Sequence, residues 1–397
     1  MGSKFLGRIA DIPFIKVDYI TTDPDYIYFV SHIHTDHLSG LNKTTPLYCT
    51  EVTAQFLHTK FDIPKINTKI LSESQIITFK SYKLEVQTIS ANHCPGAVMF
   101  LFKFKNIKVL YTGDTRLDGE YLSKNKEYFE RLTLDHLYFD NTFSSSRFIE
   151  IPTINESLQC FVRFVRKFPP STQFFIDLLF IGHELLFEFI YKTFKQKIHV
   201  EADYLLQYRM IPCTLISHLN LSDIMTVDPK ETKFHFCKAI NCARLFKFHD
   251  CKAGCAHGNV IIKPCCMSFR GSLKFDQNRY LQRLRQYKEN LPNFESNIKK
   301  KCIVKSRDDS RHHYSLLLSL HSSTIEIDTF LSLVKCDQKN MYTMIEFNDF
   351  VHGKQDFYNE EEERHFLTLD TTYSLDYVLS SCPAIDEKSD DELIIIE

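Results

Sequence analysis

The sequence has almost no net charge, no long apolar run and no internal repeat, and each lack removes a class of protein. With 48 Lys and Arg against 50 Asp and Glu, the formal net charge is −2. No global field therefore draws the chain to nucleic acid, and attraction for phosphate must come from local patches or bound metal. No stretch approaches the roughly 20 apolar residues that span a bilayer, so a soluble chain is expected. The opening MGSKFLGRIADIP has no apolar signal segment, so the 13 Cys are expected in a reducing compartment, as free thiols or metal ligands rather than disulfides. What is present is ordinary for a folded protein: 44% apolar residues, 34 Phe and 25% charged residues exclude general disorder. At 397 residues the chain exceeds one hydrophobic core, and two packed units, or one domain interrupted by another, are expected.

Up to about Phe143, short apolar runs separated by turn residues predict strands at Tyr26–Val30, Tyr82–Ile89, Val98–Phe104, Lys108–Tyr111 and Leu137–Phe139. Glu51–Lys60 and Glu120–Leu132 have the mixed polarity of surface helices. The fold class is therefore α/β. Beyond Phe143 the texture changes. Pro152–Lys167 and His183–Lys195 carry apolar residues at helical spacing, Phe174–Ile181 is an apolar run, and a second α/β unit is expected. A basic polar stretch over Asn297–His313 precedes a strand-like run from Tyr314 to Leu320, and from Asp356 onward the chain is polar and acidic, which predicts a disordered tail.

The chemistry concentrates at strand ends. Directly after the apolar YIYFV stand His32, His34, Asp36 and His37, four ligand-type residues within six positions. One His there would be a solvated loop residue, but imidazole nitrogen and carboxylate oxygen packed this densely suit a hard or borderline divalent metal. Alternation points His32 and His34 the same way, leaving Asp36 and His37 to reach a second ion. Two further strand-to-loop junctions carry His93, in ANHCPG, and Asp114, in YTGDTR. Taken singly, each would be an ordinary turn residue.

Together these segments resemble the metallo-β-lactamase superfamily, whose HxHxDH motif is matched by His32 to His37 and whose later His and bridging Asp are matched by His93 and Asp114. The resemblance implies an αββα sandwich with one ion on His32, His34 and His93, a second on Asp36 and His37, and Asp114 shared. Such a pair activates water and clamps a scissile phosphate on both sides. Asp18 matches the family's first aspartate, which supports the ligands from behind.

Further motifs resemble the nucleic-acid branch of that superfamily, with an inserted α/β β-CASP domain. Asp140, in YFDNTF, matches its acidic motif, and His321, in SLHSS, matches a histidine that contacts the scissile phosphate and assists the leaving oxygen. Asp36, His37, Asp114, His321, Asp18 and Asp140 are thus the expected catalytic residues. RNA-cleaving members use another His a strand and a loop later; here that region reads NMYTMI, the pattern of DNA-cleaving members, with His352 the alternative ligand. The resemblance implies a metallo-β-lactamase domain over residues 1–147, a β-CASP insertion over 148–316, a return over 317–355 and the tail over 356–397.

Within the DNA-cleaving branch the chain is similar to the hairpin-opening nucleases of non-homologous end joining, with HCPGAVMFLF, VLYTGDTRL, FIEIPT, IIKP and LHSS in the expected order. Those nucleases hold an extra zinc in the insertion, which implies a structural site at His199, His235, Cys237 and Cys251. Imidazoles with thiolates suit a closed tetrahedral zinc, and Cys242, Cys255 and His257 compete for the fourth position. Thr115 stands where the family has a bulky aromatic, and Asn141 where it has a hydroxyl residue. Lys263 and Arg270 are the implied DNA contacts, positioning phosphates without reading bases; Lys299, Lys300 and Lys301 also read as a solvated loop. The ending SDDELIIIE has acids beside an aliphatic run that could add a strand to a partner's sheet edge, although a disordered terminus also fits.

The resemblance implies a metal-dependent, structure-selective DNA endonuclease and 5′ exonuclease that opens hairpins and trims overhangs in double-strand break repair, leaving 5′ phosphates. Zinc is implied at the first active-site position, a second zinc, magnesium or manganese beside it, and a structural zinc in the insertion. Expected partners are DNA with hairpins, overhangs or single-strand/double-strand junctions, with DNA-dependent protein kinase and end-joining factors to be considered; the expected location is the nucleus, with no membrane. A 5′ exonuclease of cross-link repair and a catalytically weak scaffold that binds DNA ends are the alternatives.

Overall fold

The structure is a computed structural model that describes residues 6–72, 76–144, 148–177, 181–211, 220–236, 259–266, 277–296, 302–305, 313–337 and 340–343. Contacts divide these residues into two units. The first holds the residues up to Ile149, those from Gly271 to Phe294 and those from Leu320 onward; the second holds the rest.

The first unit contains two sheets. Strands β1 (Ile15–Val17), β2 (Ile27–Phe29), β3 (Leu47–Cys49) and β4 (Thr68–Ile70) run parallel in that order. The second sheet is ordered β17-β9-β8-β7-β6-β5, from β5 (Ile76–Phe79), β6 (Leu84–Ser90), β7 (Val98–Phe104), β8 (Ile107–Tyr111), β9 (His136–Phe139) and β17 (Met341–Thr343). Period-two alternation explains why β7 is apolar on both faces. Val98, Phe100 and Phe102 face the core that also holds Val17 and Phe29 of the first sheet, whereas Met99 and Leu101 join a second core with Leu122, Phe129, Tyr280, Tyr287, Ile325 and Phe330. The second core lies under helices α2 (Gly119–Glu130), α6 (Gln277–Glu289) and α7 (Thr324–Leu333), and α1 (Glu51–Phe61) packs on β4. Helix, sheet, sheet, helix is the αββα sandwich. Helix α6 lies within the range that the sequence motifs assign to the insertion, but Tyr280 and Tyr287 bury it in this first unit.

The second unit is built on a seven-stranded sheet, ordered β12-β11-β13-β10-β14-β16-β15. Its strands are β10 (Phe174–Ile176), β11 (Ile198–Val200), β12 (Met225–Thr226), β13 (Phe234–Phe236), β14 (Val260–Pro264), β15 (Ile303–Lys305) and β16 (His313–Leu316). All neighbours are parallel except β15 with β16. Helices α3 (Ile154–Val165), α4 (Glu184–Phe194) and α5 (Ala202–Arg209) belong to the same unit. Helix α3 starts where Thr153 and Glu156 form a reciprocal capping box, and its inner face buries Leu158, Phe161, Val162 and Val165. Among the described residues no helix is long and apolar enough to cross a membrane.

Candidate metal centre

Every active-site residue proposed above lies in the first unit, each in a turn or loop after a strand except His321, which lies just before a helix. Just past β1, Asp18 takes a left-handed backbone, φ 57°, a region that Asp tolerates better than most residues. Its buried carboxylate accepts four hydrogen bonds: Oδ1 from Ser31 N at 2.7 Å, and Oδ2 from Ser31 Oγ at 2.6 Å, His37 Nδ1 at 2.8 Å and the Tyr111 hydroxyl at 2.9 Å. This assigns tautomers. His37 donates from Nδ1 and turns Nε2 inward. Ser31 Oγ, already donating to Asp18, accepts from His32 Nδ1 at 2.9 Å, which likewise leaves His32 Nε2 bare. His93 donates from Nδ1 to the Leu320 carbonyl at 2.8 Å, with the same result.

The bare nitrogens converge. His34 Nδ1 lies 3.2 Å from His32 Nε2 and 3.0 Å from His93 Nε2. Two ligand nitrogens of one tetrahedral zinc would stand about 3.3–3.4 Å apart, so these three are close to ligand spacing. Asp114 completes the set: its Oδ2 is 3.7 Å from both His32 Nε2 and His93 Nε2, and its Oδ1 is 3.2 Å from His37 Nε2. With His37 Nε2 bare, the buried Asp114 Oδ1 has no hydrogen-bond partner, an arrangement that costs free energy unless a cation is coordinated or His37 takes up a proton. Burial, reinforced by the neighbouring imidazoles, lowers the pKa of His32 and His93 well below the usual histidine range, so both present neutral lone pairs. His37 differs: burial would lower it too, but the Asp114 and Asp18 carboxylates outweigh that and raise it. Asp36, on a 3-10 turn and 47% exposed, has Oδ2 3.8 Å from His37 Nε2. His32, His34, His93 and Asp114 form one group of ligand atoms close enough for one ion, and Asp36, His37 and Asp114 form another. The donor set therefore fits divalent metal, and Asp114 belongs to both groups.

Behind the metal residues, Gly113 takes φ +56°, and a Cβ there would stand 3.0 Å from Ser31 Cβ and Oγ, so glycine lets the Asp114 turn close against the His32 strand end. His321 approaches from the start of α7: its Nδ1 donates to Asp140 Oδ2 at 2.9 Å and its Nε2 stands 3.9 Å from Asp114 Oδ2. Asp140 also accepts from Thr115 N at 3.0 Å and from Thr142 N and Oγ1 at 2.9 and 2.6 Å. Burial would raise the Asp140 carboxyl, yet His321 and these donors hold it below the usual range. For His321, burial would lower the imidazole, but Asp140 and Asp114 outweigh it and raise the pKa to about 9.

Several residues of this frame were not singled out in the sequence. Buried Arg116 donates to the His321 carbonyl at 2.8 Å and pairs with Glu326 at 3.1 Å. Ser322 Oγ donates to the Thr115 carbonyl at 2.9 Å and accepts from Leu117 N at 2.8 Å. Ser323 and Glu326 form the capping box that starts α7. That box follows the readable Ser-x-x-Glu spacing; nothing marks Arg116, because a buried arginine has the local sequence of a surface turn. The substituted positions cost no ligand: Thr115 is buried and supports Asp140 through its backbone, and the Asn141 carbonyl accepts from Ser144 N at 3.0 Å.

In the second unit, β11 and β13 pair in register His199 to His235, and the two Nδ1 atoms face each other at 3.2 Å. Gln173 accepts from His235 Nε2 at 2.8 Å, which turns the Nδ1 lone pair toward His199. Burial lowers both imidazoles, His235 to about 4. Cys237, Cys251 and their competitors Cys242, Cys255 and His257 lie outside the described residues, as do Arg270, Lys299, Lys300, Lys301, His352 and the tail from 356. Lys263 is exposed on β14. In the segment where RNA-cleaving relatives would place a further ligand, the described residues 340–343 hold no histidine, and Met341 packs into the helix-facing core.

No protein-family model matches the chain. It is 32% identical to the 5′ exonuclease Apollo of Rattus norvegicus over 220 residues, covering 53% of this chain and 38% of Apollo. It is 29% identical to protein Artemis of Homo sapiens over 366 residues, 83% of this chain and 48% of Artemis, and 26% identical to Artemis of Danio rerio over 375 residues, 84% and 52%. The chain thus spans about half or less of these relatives. A crystal structure of a protein of unknown function from Enterococcus faecalis V583 superposes with a TM-score of 0.51 at 16% identity, covering 83% of this chain and 78% of that one, which is a likeness of fold. The motif residues thus stand together at the strand ends of an αββα sandwich, in a chain whose sequence is similar to Artemis and Apollo.

Proposed function

We propose that this chain is a metal-dependent phosphodiesterase of DNA repair, a structure-selective endonuclease that opens hairpins and trims overhangs and leaves 5′ phosphates. The observation that carries the reading is Asp114: a buried carboxylate with an unpartnered oxygen between His37 and three converging imidazole nitrogens. Its ligands would be His32, His34, His93 and Asp114 for a zinc, and Asp36, His37 and Asp114 for a second zinc, magnesium or manganese. Bound there, paired divalent ions supply an activated water and a clamp on the scissile phosphate. The chain's own residues do the rest. Asp18 and Ser31 hold the imidazoles in their ligating tautomers, and Arg116 and Ser322 fix the loop that carries His321. With its proton retained by Asp140, His321 at neutral pH has one to give to the departing oxygen from Nε2.

His199 and His235, with Cys237 and Cys251, are assigned to a structural zinc in the second unit, and Lys263 and Arg270 to phosphate contacts. The nuclear location and contacts with DNA-dependent protein kinase and end-joining factors belong to the same proposal, as do the segment boundaries read from the motifs except over Gly271–Phe294, which pack with the first unit. A second reading, a 5′ exonuclease of cross-link repair, is favoured by the 32% identity to Apollo, whose name states a 5′ exonuclease. Three labelled substrates given to purified protein separate these readings: a DNA hairpin, a 5′-phosphorylated single strand and a matched RNA. Nicking near the hairpin tip, lost in an Asp36→Ala/His37→Ala variant, is expected. Digestion of the single strand from its 5′ end alone would support the exonuclease, RNA-only cleavage the RNA branch, and silence on all three a DNA-end scaffold.

A further inference from the structure

Outside the metal centre, the second unit builds a set of donors around one thiol. Cys160 lies on α3, the helix capped by Thr153 and Glu156, and Cys302 immediately precedes β15. Neither is in a disulfide, and both are largely enclosed: Cys160 keeps 9% of its surface open and Cys302 none. The Cys160 sulfur accepts from the Cys302 thiol and from the Cys302 backbone N–H, and Arg163, one turn further along α3, donates Nη2 to it at 3.4 Å. Three donors on one sulfur, one of them cationic, form a cradle for a thiolate. The flanking segment is held as well: Glu156 accepts from Ser296 N at 3.0 Å and Ser296 Oγ at 2.7 Å, and the Cys302 carbonyl accepts from Leu317 N at 2.7 Å.

We infer that Cys160 and Cys302 form an oxidant-sensitive dithiol site, in which Cys160 is the attacking thiolate and Cys302 the resolving thiol that closes a disulfide between α3 and the start of β15. The Cys302 hydrogen bonds, with Arg163, lower the Cys160 thiol, and the Arg163 donor 3.4 Å from the Cys160 sulfur gives Cys160 the attacking role. Where burial has no such donors the direction is opposite, as at Cys49, pushed up to about 12. The co-reactant is hydrogen peroxide. The Cys160 thiolate attacks one peroxide oxygen, the O–O bond breaks, and the sulfenic acid forms with release of hydroxide, or water after protonation. Cys302 sulfur then attacks the Cys160 sulfur, the S–O bond breaks, and the sulfenic hydroxyl leaves with the Cys302 proton as a second water. Both sulfurs are oxidised by one electron each, and the peroxide is reduced by two. The site lies in the second unit and needs none of the phosphodiesterase residues.

The test is peptide mapping by mass spectrometry of the whole metal-loaded chain, treated with graded hydrogen peroxide, with alkylation of the remaining thiols. The expected result is a Cys160–Cys302 crosslinked peptide, two hydrogens lighter than its parts, appearing at doses that leave the half-buried Cys94 and Cys336 alkylatable. In Arg163→Met the crosslink should form several-fold more slowly, because the cationic donor is gone. In Cys302→Ser, dimedone should trap a sulfenic acid on Cys160. The inference is overturned if Cys94 and Cys336 are consumed while Cys160 and Cys302 stay reduced. An unchanged rate in Arg163→Met would overturn it as well. The first readout is made on the unmutated protein, so a variant that fails to fold leaves the test intact.

Discussion

At the residue scale, the site depends on which nitrogen of each imidazole is bare, and Asp18 sets this for two of them. Asp18→Asn keeps the side-chain shape and tolerates the left-handed backbone, but weakens the acceptor for His37 Nδ1 and Ser31 Oγ. Metal affinity should fall about 10–100-fold with the fold intact, as removal of such supporting partners does; calorimetric metal titration beside circular dichroism checks it. Asp140 acts on protonation instead. With Asp140 present, His321 titrates at about 9 and stays charged through neutrality. Asp140→Asn removes the nearest charge that raises it, so the protonated form is lost at lower pH. The alkaline limb of kcat against pH should therefore move down by about one unit or more. A limb that stays put would mean another group is the proton donor. The sequence displayed Asp18, Asp140 and His321 as residues, because each sits at a turn after an apolar run. Arg116 stayed hidden, since its burial arises from contacts with His321 and Glu326, more than 200 positions away.

At the element scale, the SLHSS tract does two jobs at once: His321 faces the metal residues while Ser323, two positions later, caps α7. Ser323 Oγ and N both lie on Glu326, whose carboxyl also pairs with Arg116, so the cap and the His321 loop share one carboxylate. Ser323→Ala should cost about 1 kcal/mol of stability, as loss of an N-cap does. It should also lower kcat more than it raises KM, because the His321 backbone loses part of its frame; thermal melts and steady-state cleavage measure the two effects. Most elements were legible where one signal dominated. Strand β7 occupies the residues expected, Val98–Phe104, and α1, α2, α3 and α4 fall within two or three residues of the predicted spans. The short strands β3 and β4 were not predicted. Three residues are too few for alternation to stand out, and these strands persist because parallel neighbours and the inter-sheet core hold them.

At the scale of the whole molecule, the paired histidines of the second unit lie in register on neighbouring parallel strands, a juxtaposition of positions 36 residues apart in the chain. If these hold the structural zinc proposed above, His235→Ala should lower the zinc content by about one ion per chain and lower the melting temperature, while the active-site metals remain. Metal analysis and calorimetry on the same preparation test both parts; unchanged zinc would remove the assignment. What the sequence by itself determined about this protein is chemical: which residues can ligate metal, that they sit at strand ends, and that two α/β textures follow one another. Those are local properties, set by side-chain type and by the period of two or 3.6. The tertiary structure alone decided that α6 packs with the first unit, that Arg116 is buried against Glu326, and that Cys160 meets Cys302. Each is a contact between segments distant in sequence, chosen by the burial and hydrogen bonding of the whole core, and no local pattern encodes such a choice.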